Sequence, residues 1–189
     1  FESLAALGIC TAFSIVAAWR LLRPNVLSDD ALEDASRVMA ALNRPAVQAM
    51  EGFEVHAATD VTGFGLLGHA WDMMEGSGTT AVFSVDAVPL LSEARRVAAR
   101  GIAPEGSRVN VRNLRPRTDV ESGVTDDDFL LLCDAQTSGG LLVALPEAES
   151  ERYAARCREL GADRAAVVGR VNARGRTALV VSKSTRRVS

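Results

Sequence analysis

Lysine is almost absent from this sequence, and its scarcity limits the chemistry that the chain can perform. All of the 21 basic residues are arginine except Lys183, near the C-terminus. A mechanism that needs a lysine in a pocket must therefore use Lys183 or obtain a lysine from outside the chain. An excess of positive charge is also lacking, since the formal net charge is −3. The composition therefore does not indicate a nucleic-acid-binding protein.

Cysteine is also scarce, and its spacing excludes two common structural uses. Cys10, Cys133 and Cys157 are far apart and odd in number, and no CxxC or Cys/His cluster occurs. Neither a disulfide framework nor a zinc site is therefore indicated, and reduced thiols in the cytoplasm are expected. Cys133 lies among leucines and Cys10 lies in an apolar run, so we expect neither to act as a nucleophile.

Long hydrophobic runs are missing apart from residues 3–19, which carry no charge. A membrane-spanning helix needs roughly 20 apolar residues, whereas glycine, serine and threonine interrupt this run. No basic segment precedes it, as would be typical of a signal peptide. We therefore interpret it as a buried strand and helix, and we predict no membrane association. The chain begins with Phe1 rather than methionine, which suggests a fragment or an excised domain.

The composition is otherwise typical of a folded domain with its own core. Apolar residues make up 48% and charged residues 24% of the 189 residues, values within the globular range. Predicted strands alternate with predicted helices. We therefore expect a single domain over residues 1–189, of the α/β or α+β layered class, with helices packed on a sheet.

The local patterns predict the following elements. Strands are predicted at residues 54–58, 80–85, 129–133, 141–145, 165–168 and 177–181. Helices are predicted from Ser28, with a break at Pro45, and at residues 66–75, 89–100 and 146–160. Residues 102–128 are rich in glycine, proline, arginine and aspartate, and predict a long loop.

Segment 59–65 (TDVTGFG) lies between a predicted strand and a predicted helix. Asp60 offers a hard oxygen ligand suited to Mg²⁺, and Thr62 offers a hydroxyl. Gly63 and Gly65 allow the backbone to approach a ligand closely, and the N-terminus of the following helix favours phosphate. The alternative is an ordinary capped turn, with Asp60 or Thr62 as the N-cap. The pattern alone leaves both interpretations open.

Segment 132–142 (LCDAQTSGGLL) is the second candidate. Its simplest interpretation is a hairpin turn between two apolar strands, in which Gly139 and Gly140 form the turn and Asp134 accepts hydrogen bonds from nearby amides. A functional role would require this segment to lie beside segment 59–65.

Isolated polar residues are weaker candidates. We expect His56 and His69 to be hydrogen-bonded structural residues rather than bases. The arginines from Arg95 to Arg117 could bind phosphate, but a solvated face is the commoner explanation.

Taken together, these segments resemble selenophosphate synthetase (selenide, water dikinase), of the aminoimidazole ribonucleotide synthetase superfamily. The segments 56–69 (HAATDVTGFGLLGH) and 132–142 carry most of the resemblance, which extends over about residues 28–182. Residues 1–27 match poorly, and Ala135 stands where many members have proline. Shorter matching segments are 42–44, 76–78, 88–91, 106–107 with Asn110, and 169–171.

The resemblance implies a fold, an activity and a site. The fold is the C-terminal half of such an enzyme, a mixed β-sheet packed against helices. The activity is conversion of selenide, ATP and water to selenophosphate, AMP and phosphate with Mg²⁺, by a homodimer. Asp60 would be the metal ligand that this half contributes. The nucleophilic cysteine or selenocysteine, its lysine and most metal-binding aspartates would lie in an N-terminal half whose motifs do not occur here. No catalytic residue is therefore expected in this chain, and the chain alone should make no selenophosphate.

Two other functions remain open. One is another ATP-dependent activity of the same superfamily, such as hydrogenase maturation or purine synthesis, although Phe64 and segment 66–69 argue against it. The other is a non-catalytic binding or dimerisation module derived from this family.

Overall fold

The chain forms a mixed β-sheet with helices packed against it. The computed structural model describes the backbone of residues 2–7 and the whole of residues 27–184. Cys10 and the helix predicted within residues 3–19 lie outside these described residues. The strands are β1 (Glu2–Leu7), β2 (Ala57–Asp60), β3 (Thr79–Ser84), β4 (Thr118–Val120), β5 (Leu141–Pro146), β6 (Ala166–Ala173) and β7 (Leu179–Ser182). The helices are α1 (Asp29–Ala40), α2 (Arg44–Ala49), α3 (Gly65–Ser77), α4 (Ala94–Ala99), α5 (Glu105–Leu114), α6 (Asp126–Leu132) and α7 (Glu147–Glu159).

The seven strands lie in the order β2-β5-β1-β6-β3-β7-β4. β1 pairs antiparallel with β5 and with β6, and β2 also pairs antiparallel with β5. β3 is antiparallel to β6 but parallel to β7, which is in turn parallel to β4. The predicted layered α/β class with a mixed sheet is therefore confirmed. β1 is paired on both sides, which confirms the strand expected in the first part of the uncharged run.

Two helix boundaries follow from local capping chemistry, as predicted. Ser28 caps α1, because its side chain accepts a hydrogen bond from the Ala31 amide at 3.2 Å, and two acidic residues occupy the first turn. α3 ends at Gly78, whose φ of 65° is the left-handed conformation that glycine adopts readily.

The prediction of a strand at residues 129–133 is wrong, because residues 129–132 belong to α6 and Cys133 is its C-cap. Thr125 and Asp128 form a capping box at its start, with two hydrogen bonds of 3.1 Å. The apolar run that follows is buried on several sides of the helix, so it shows neither helical nor strand periodicity.

Three other boundaries also differ from the sequence predictions. The predicted long loop at residues 102–128 instead contains α5, β4 and the start of α6. The helix predicted from Pro89 begins only at Ala94. The strand predicted from Glu54 begins at Ala57.

Strand β5 is buried on both faces and separates two hydrophobic clusters. Leu142 and Ala144 belong to the cluster that includes Leu66 and Leu67 of α3. The alternate residues of β5 belong to a second cluster with Tyr153 of α7. Burial on both faces explains the continuous apolar sequence of β5. The exposed edge strand β2 is therefore attached to the core through its pairing with β5.

Candidate functional site

The register of β2 against β5 brings the two candidate segments together. Asp60 stands opposite Leu141 in this antiparallel pair, so the chain leaving β2 and the chain entering β5 meet at one end of the sheet. The pairing continues beyond the strands. The Val61 amide donates to the Gly140 carbonyl at 2.9 Å, and the Gly139 amide donates to the Val61 carbonyl at 3.0 Å. Segments 59–65 and 132–142 therefore lie side by side, which is the condition that a functional role required.

The predicted hairpin turn at Gly139 and Gly140 is wrong. The element before them is the helix α6 rather than a strand, so segment 132–142 connects a helix to β5. Both glycines pair with Val61 instead of turning the chain back on itself.

Two glycines allow the backbones of these segments to approach closely. A Cβ atom on Gly139 would stand 2.3 Å from the Val61 carbonyl oxygen. One on Gly65, whose φ is 70°, would stand 2.7 Å from the Asp134 carbonyl oxygen. Gly65 therefore allows a close contact with segment 132–142. Around Gly63 the corresponding space is open, with nothing within 4 Å.

Helix α5 adds a buried polar cluster beneath the two segments. The Asn110 side chain donates to the Gly63 carbonyl and to the Cys133 carbonyl, each at 3.0 Å. The Ser107 hydroxyl donates to the Asp134 carboxylate at 2.6 Å and accepts from the Ala135 amide at 3.0 Å.

The Asp134 carboxylate has a second partner within this cluster. The Gln136 side chain donates to it at 3.1 Å, while the Gln136 amide donates to the Thr62 carbonyl at 3.1 Å. Ser107, Asn110, Asp134 and Gln136 are all at most 8% exposed. Buried polar groups are tolerated when they are hydrogen-bonded, and no buried side-chain polar atom in residues 27–184 lacks a partner.

Ser107 and Asn110 were not predicted as site residues, because they lay in the predicted loop. A signal for them was present. Ser107, Asn110 and Leu114 are the buried residues of α5, and their spacing of three and four is typical of one helical face.

The alternative interpretation of segment 59–65 as a capped turn is wrong. Phe64 occupies the N-cap position of α3, without a side-chain capping bond. Neither Asp60 nor Thr62 therefore caps this helix.

His69 is hydrogen-bonded, as expected, and it holds the Thr62 peptide. The Thr62 amide donates to His69 Nε2 at 3.0 Å, and the Thr62 hydroxyl oxygen lies 3.1 Å from the same nitrogen. Because Nε2 accepts this hydrogen bond, the ring carries its proton on Nδ1. His56 is also hydrogen-bonded, with Nε2 at 3.3 Å from Glu54.

Asp60 is the last residue of β2, the strand at one edge of the sheet, and it is exposed. Its carboxylate makes no hydrogen bond or ion pair with any described residue. Residues 27–184 contain no group of three or more aspartate, glutamate, histidine or cysteine residues that could hold a metal ion. The described part of the chain therefore offers an available oxygen ligand here, but not a complete metal site.

The single lysine stabilises the fold away from this cluster. Lys183 Nζ lies 2.8 Å from the Asp128 carboxylate, which Arg95 also contacts at 2.5 Å. Burial of Asp128 opposes ionisation, but the hydrogen bonds from Lys183, Thr125 and Arg95 outweigh it and hold the pKa of this carboxyl well below its usual range.

The remaining predicted candidates are structural or exposed. Cys133 is buried, and burial raises the pKa of its thiol far above the ordinary value, so it is inert as predicted. The exposed Arg112 and Arg115 lie 2.8 and 3.6 Å from acidic partners, as on a solvated face. No helix in residues 27–184 has the length and hydrophobicity needed to cross a bilayer.

The sheet and its helices form a fold that this chain shares with several proteins of known structure. The hydrogenase maturation protein HypE, solved in complex with ATP, superposes with a TM-score of 0.57 at 21% identity, over 95% of this chain and 47% of that one. Thiamine monophosphate kinase from Aquifex aeolicus superposes with a TM-score of 0.57 at 13% identity, over 97% and 50%. At these identities the likeness shows the fold alone.

The sequence assigns the family. The family described as "AIR synthase related protein, C-terminal domain" matches residues 11–182, and the chain belongs to it. Selenide, water dikinase 2 of Peptoclostridium acidaminophilum is 38% identical over 149 residues, which are 79% of this chain and 43% of that protein. Selenide, water dikinase of Caldanaerobacter subterraneus subsp. tengcongensis is 40% identical over 138 residues, 72% of this chain and 40% of that protein. The resemblance stated from the two segments is therefore confirmed, and the chain spans less than half the length of these relatives.

Proposed function

We propose that this chain is the C-terminal half of an ATP-dependent phosphotransferase that makes selenophosphate from selenide, ATP and water, with AMP and phosphate as the other products. The observation that carries this proposal is the pairing of segment 59–65 with segment 132–142, which leaves the Asp60 carboxylate exposed at the edge of the sheet. Two selenide, water dikinases match 79% and 72% of this chain at 38% and 40% identity, which supports the proposal.

In this proposal Asp60 contributes one ligand to Mg²⁺. A carboxylate without a partner among the described residues fits a hard cation that prefers oxygen ligands. Since residues 27–184 contain no cluster of three metal-binding side chains, the remaining ligands would come from an ATP-binding half. The bound metal would neutralise charge on the phosphate groups during phosphoryl transfer.

The contribution of this chain is then to hold Asp60 in place. The backbone after Asp60 is fixed by hydrogen bonds from Gly139, Gln136 and Asn110. A ligand held by rigid neighbours does not have to be reordered when the metal binds. The nucleophile and its lysine would belong to the other half, since Lys183 is engaged with Asp128. We further propose a cytoplasmic homodimer.

A second candidate is a non-catalytic binding or dimerisation module. It is favoured by the engagement of the single lysine with Asp128 and by the lack, in residues 27–184, of a group of three or more side chains that could hold a metal ion. A third candidate is another ATP-dependent activity of the superfamily. Only the shared fold supports it.

The test uses the protein encoded by the complete open reading frame that contains this chain, assayed for selenide- and ATP-dependent formation of AMP. We expect Asp60→Asn to lower the rate by roughly 100-fold or more, with an unchanged thermal transition. Asp72→Asn, which removes an exposed carboxylate from α3, is the matched control and should retain full activity.

Other outcomes distinguish the candidates. Full activity of Asp60→Asn would exclude its role as a metal ligand. ATP turnover that does not depend on selenide would favour another activity of the superfamily. A reading frame without an ATP-binding half, whose product binds no ATP, would favour the non-catalytic module.

A further inference from the structure

The side chain of Asn110 lies between the two candidate segments and contacts both. Its carboxamide nitrogen, Nδ2, donates to the Gly63 carbonyl in segment 59–65 and to the Cys133 carbonyl in segment 132–142, each at 3.0 Å. A primary amide nitrogen carries two hydrogens, so it can donate to two acceptors at once. Asn110 is 8% exposed, so water cannot readily replace it.

Val61 and Thr62, which precede Gly63, make backbone hydrogen bonds to segment 132–142, whereas the Gly63 carbonyl is bound by the Asn110 side chain. Val61 is paired with Gly139 and Gly140. The Thr62 carbonyl accepts hydrogen bonds from the Gly65 and Gln136 amides at 2.9 and 3.1 Å.

At Gly63 there is open space where a side chain would stand, with no atom within 4 Å. No neighbouring group therefore packs against Gly63 on this side. The hydrogen bond from Asn110 to the Gly63 carbonyl restrains its peptide group.

Asn110 is itself held in place by the same helix. One turn earlier on α5, Ser107 bonds to both the Asp134 carboxylate and the Ala135 amide. α5 therefore contacts the second segment at two points, and the position of Asn110 between the segments is defined before any ligand binds.

We propose that Asn110 is a positioning residue for Asp60. It links segment 59–65 to segment 132–142 and so fixes the direction in which the chain leaves β2. Asn110 touches neither the metal nor the phosphates in this arrangement and acts through the backbone of Gly63. This inference rests on the proposed function for its catalytic consequence, but the structural link can be measured independently of it.

The first experiment measures amide hydrogen exchange by NMR in the 189-residue chain. In Asn110→Ala, the amides of Gly65, Gln136 and Gly139 should exchange at least about tenfold faster, while the Leu160 amide at the end of α7 stays unchanged. Asn113→Ala is the matched control, since Asn113 is exposed on the same helix, and it should leave all four amides unchanged. Asn110→Asp keeps the side-chain shape but removes the donor, so it should reproduce the effect of Asn110→Ala.

The second experiment measures the Mg²⁺ dependence of activity in the protein encoded by the complete reading frame. Asn110→Ala should raise the Mg²⁺ concentration that gives half-maximal activity about 10- to 100-fold, and Asn113→Ala should not. A purely structural role would change the amount of folded protein without changing this concentration.

The proposal is overturned if Asn110→Ala and Asn110→Asp leave the exchange of the Gly65, Gln136 and Gly139 amides unchanged. It is also overturned if exchange at Leu160 accelerates equally, since Asn110 would then stabilise the whole domain. If the complete protein proves inactive with selenide, the proposed function fails, and the exchange measurement still decides whether Asn110 links the two segments.

Discussion

The Val61 carbonyl accepts a hydrogen bond from the Gly139 amide at 3.0 Å, and the two backbones are so close that residue 139 has no room for a Cβ atom. This contact joins two segments that are separated by more than 70 residues in the sequence. The relative position of the two segments in the proposed site depends on this contact.

Gly139→Ala should destabilise the domain by about 1–3 kcal/mol, because the new methyl carbon would stand 2.3 Å from the Val61 oxygen. Denaturant unfolding followed by circular dichroism measures this change. Gly76→Ala is the control, since nothing lies within 4 Å of the corresponding position in α3, and it should leave the free energy of unfolding unchanged or slightly raised. Equal stability of Gly139→Ala and wild type would contradict the close approach.

The Asp128 carboxylate should make the fold sensitive to acid. Its pKa is lower in the folded chain than in the unfolded chain, so the unfolded chain takes up this proton first as the pH falls. The resulting stability is fully present above the unfolded pKa of about 4. It is lost progressively as the pH falls below 4 towards the lower folded value.

The variant Asp128→Asn isolates this contribution. At pH 7 it should lower the free energy of unfolding by about 1–3 kcal/mol, a modest figure because Arg95 and Lys183 are partly exposed. The difference from wild type should shrink as the pH falls below 4. Asp127→Asn, at an exposed position of the same helix, should show little difference at either pH. A constant difference at all pH values would show that the ion pairs contribute nothing.

Replacement of His69 by leucine should release the Thr62 peptide. The variant removes the Nε2 acceptor, so the Thr62 amide should exchange at least about fivefold faster, with a loss of about 1 kcal/mol in stability. His56→Leu is the matched control at the other histidine, and it should leave the Thr62 amide protected. Unchanged exchange in His69→Leu would mean that the hydrogen bond to His69 does not hold this peptide.

The buried thiols should be unreactive in the native state. Cys133 and Cys157 are both fully buried, and burial raises the pKa of Cys157 to about 11 and that of Cys133 further. In a Cys10→Ser variant, a disulfide-exchange reagent at pH 8 should therefore label no thiol in the native state within minutes and two thiols in denaturant. Rapid native labelling of either cysteine would contradict its burial.

Local sequence determined two helix ends directly. Ser28 with its acidic neighbours begins α1, and Gly78 ends α3. These features are predictable because a cap is formed between residues that are close in the chain.

Hydrophobic periodicity did not identify the helix at residues 129–132, because the apolar run at residues 129–133 is also typical of a strand. A segment buried on most sides shows no polar face, so its sequence does not distinguish a helix from a strand. The decisive signal was the capping box of Thr125 and Asp128, which lay in the predicted loop. Because residues 102–128 were predicted to be a loop, Ser107 and Asn110 were not recognised as residues on the buried face of a helix, α5.

The sequence by itself determined the family to which the chain belongs, the two segments that carry the resemblance to it and the choice of Asp60 as a candidate ligand. These conclusions depend on residue types within short stretches. Only the tertiary structure decided that the segments touch, that two glycines are needed where they meet, and that Asn110 links them. The physical reason is that the antiparallel register of β2 with β5 and the packing of α5 depend on contacts between residues far apart in the chain, and no single stretch of sequence contains those contacts.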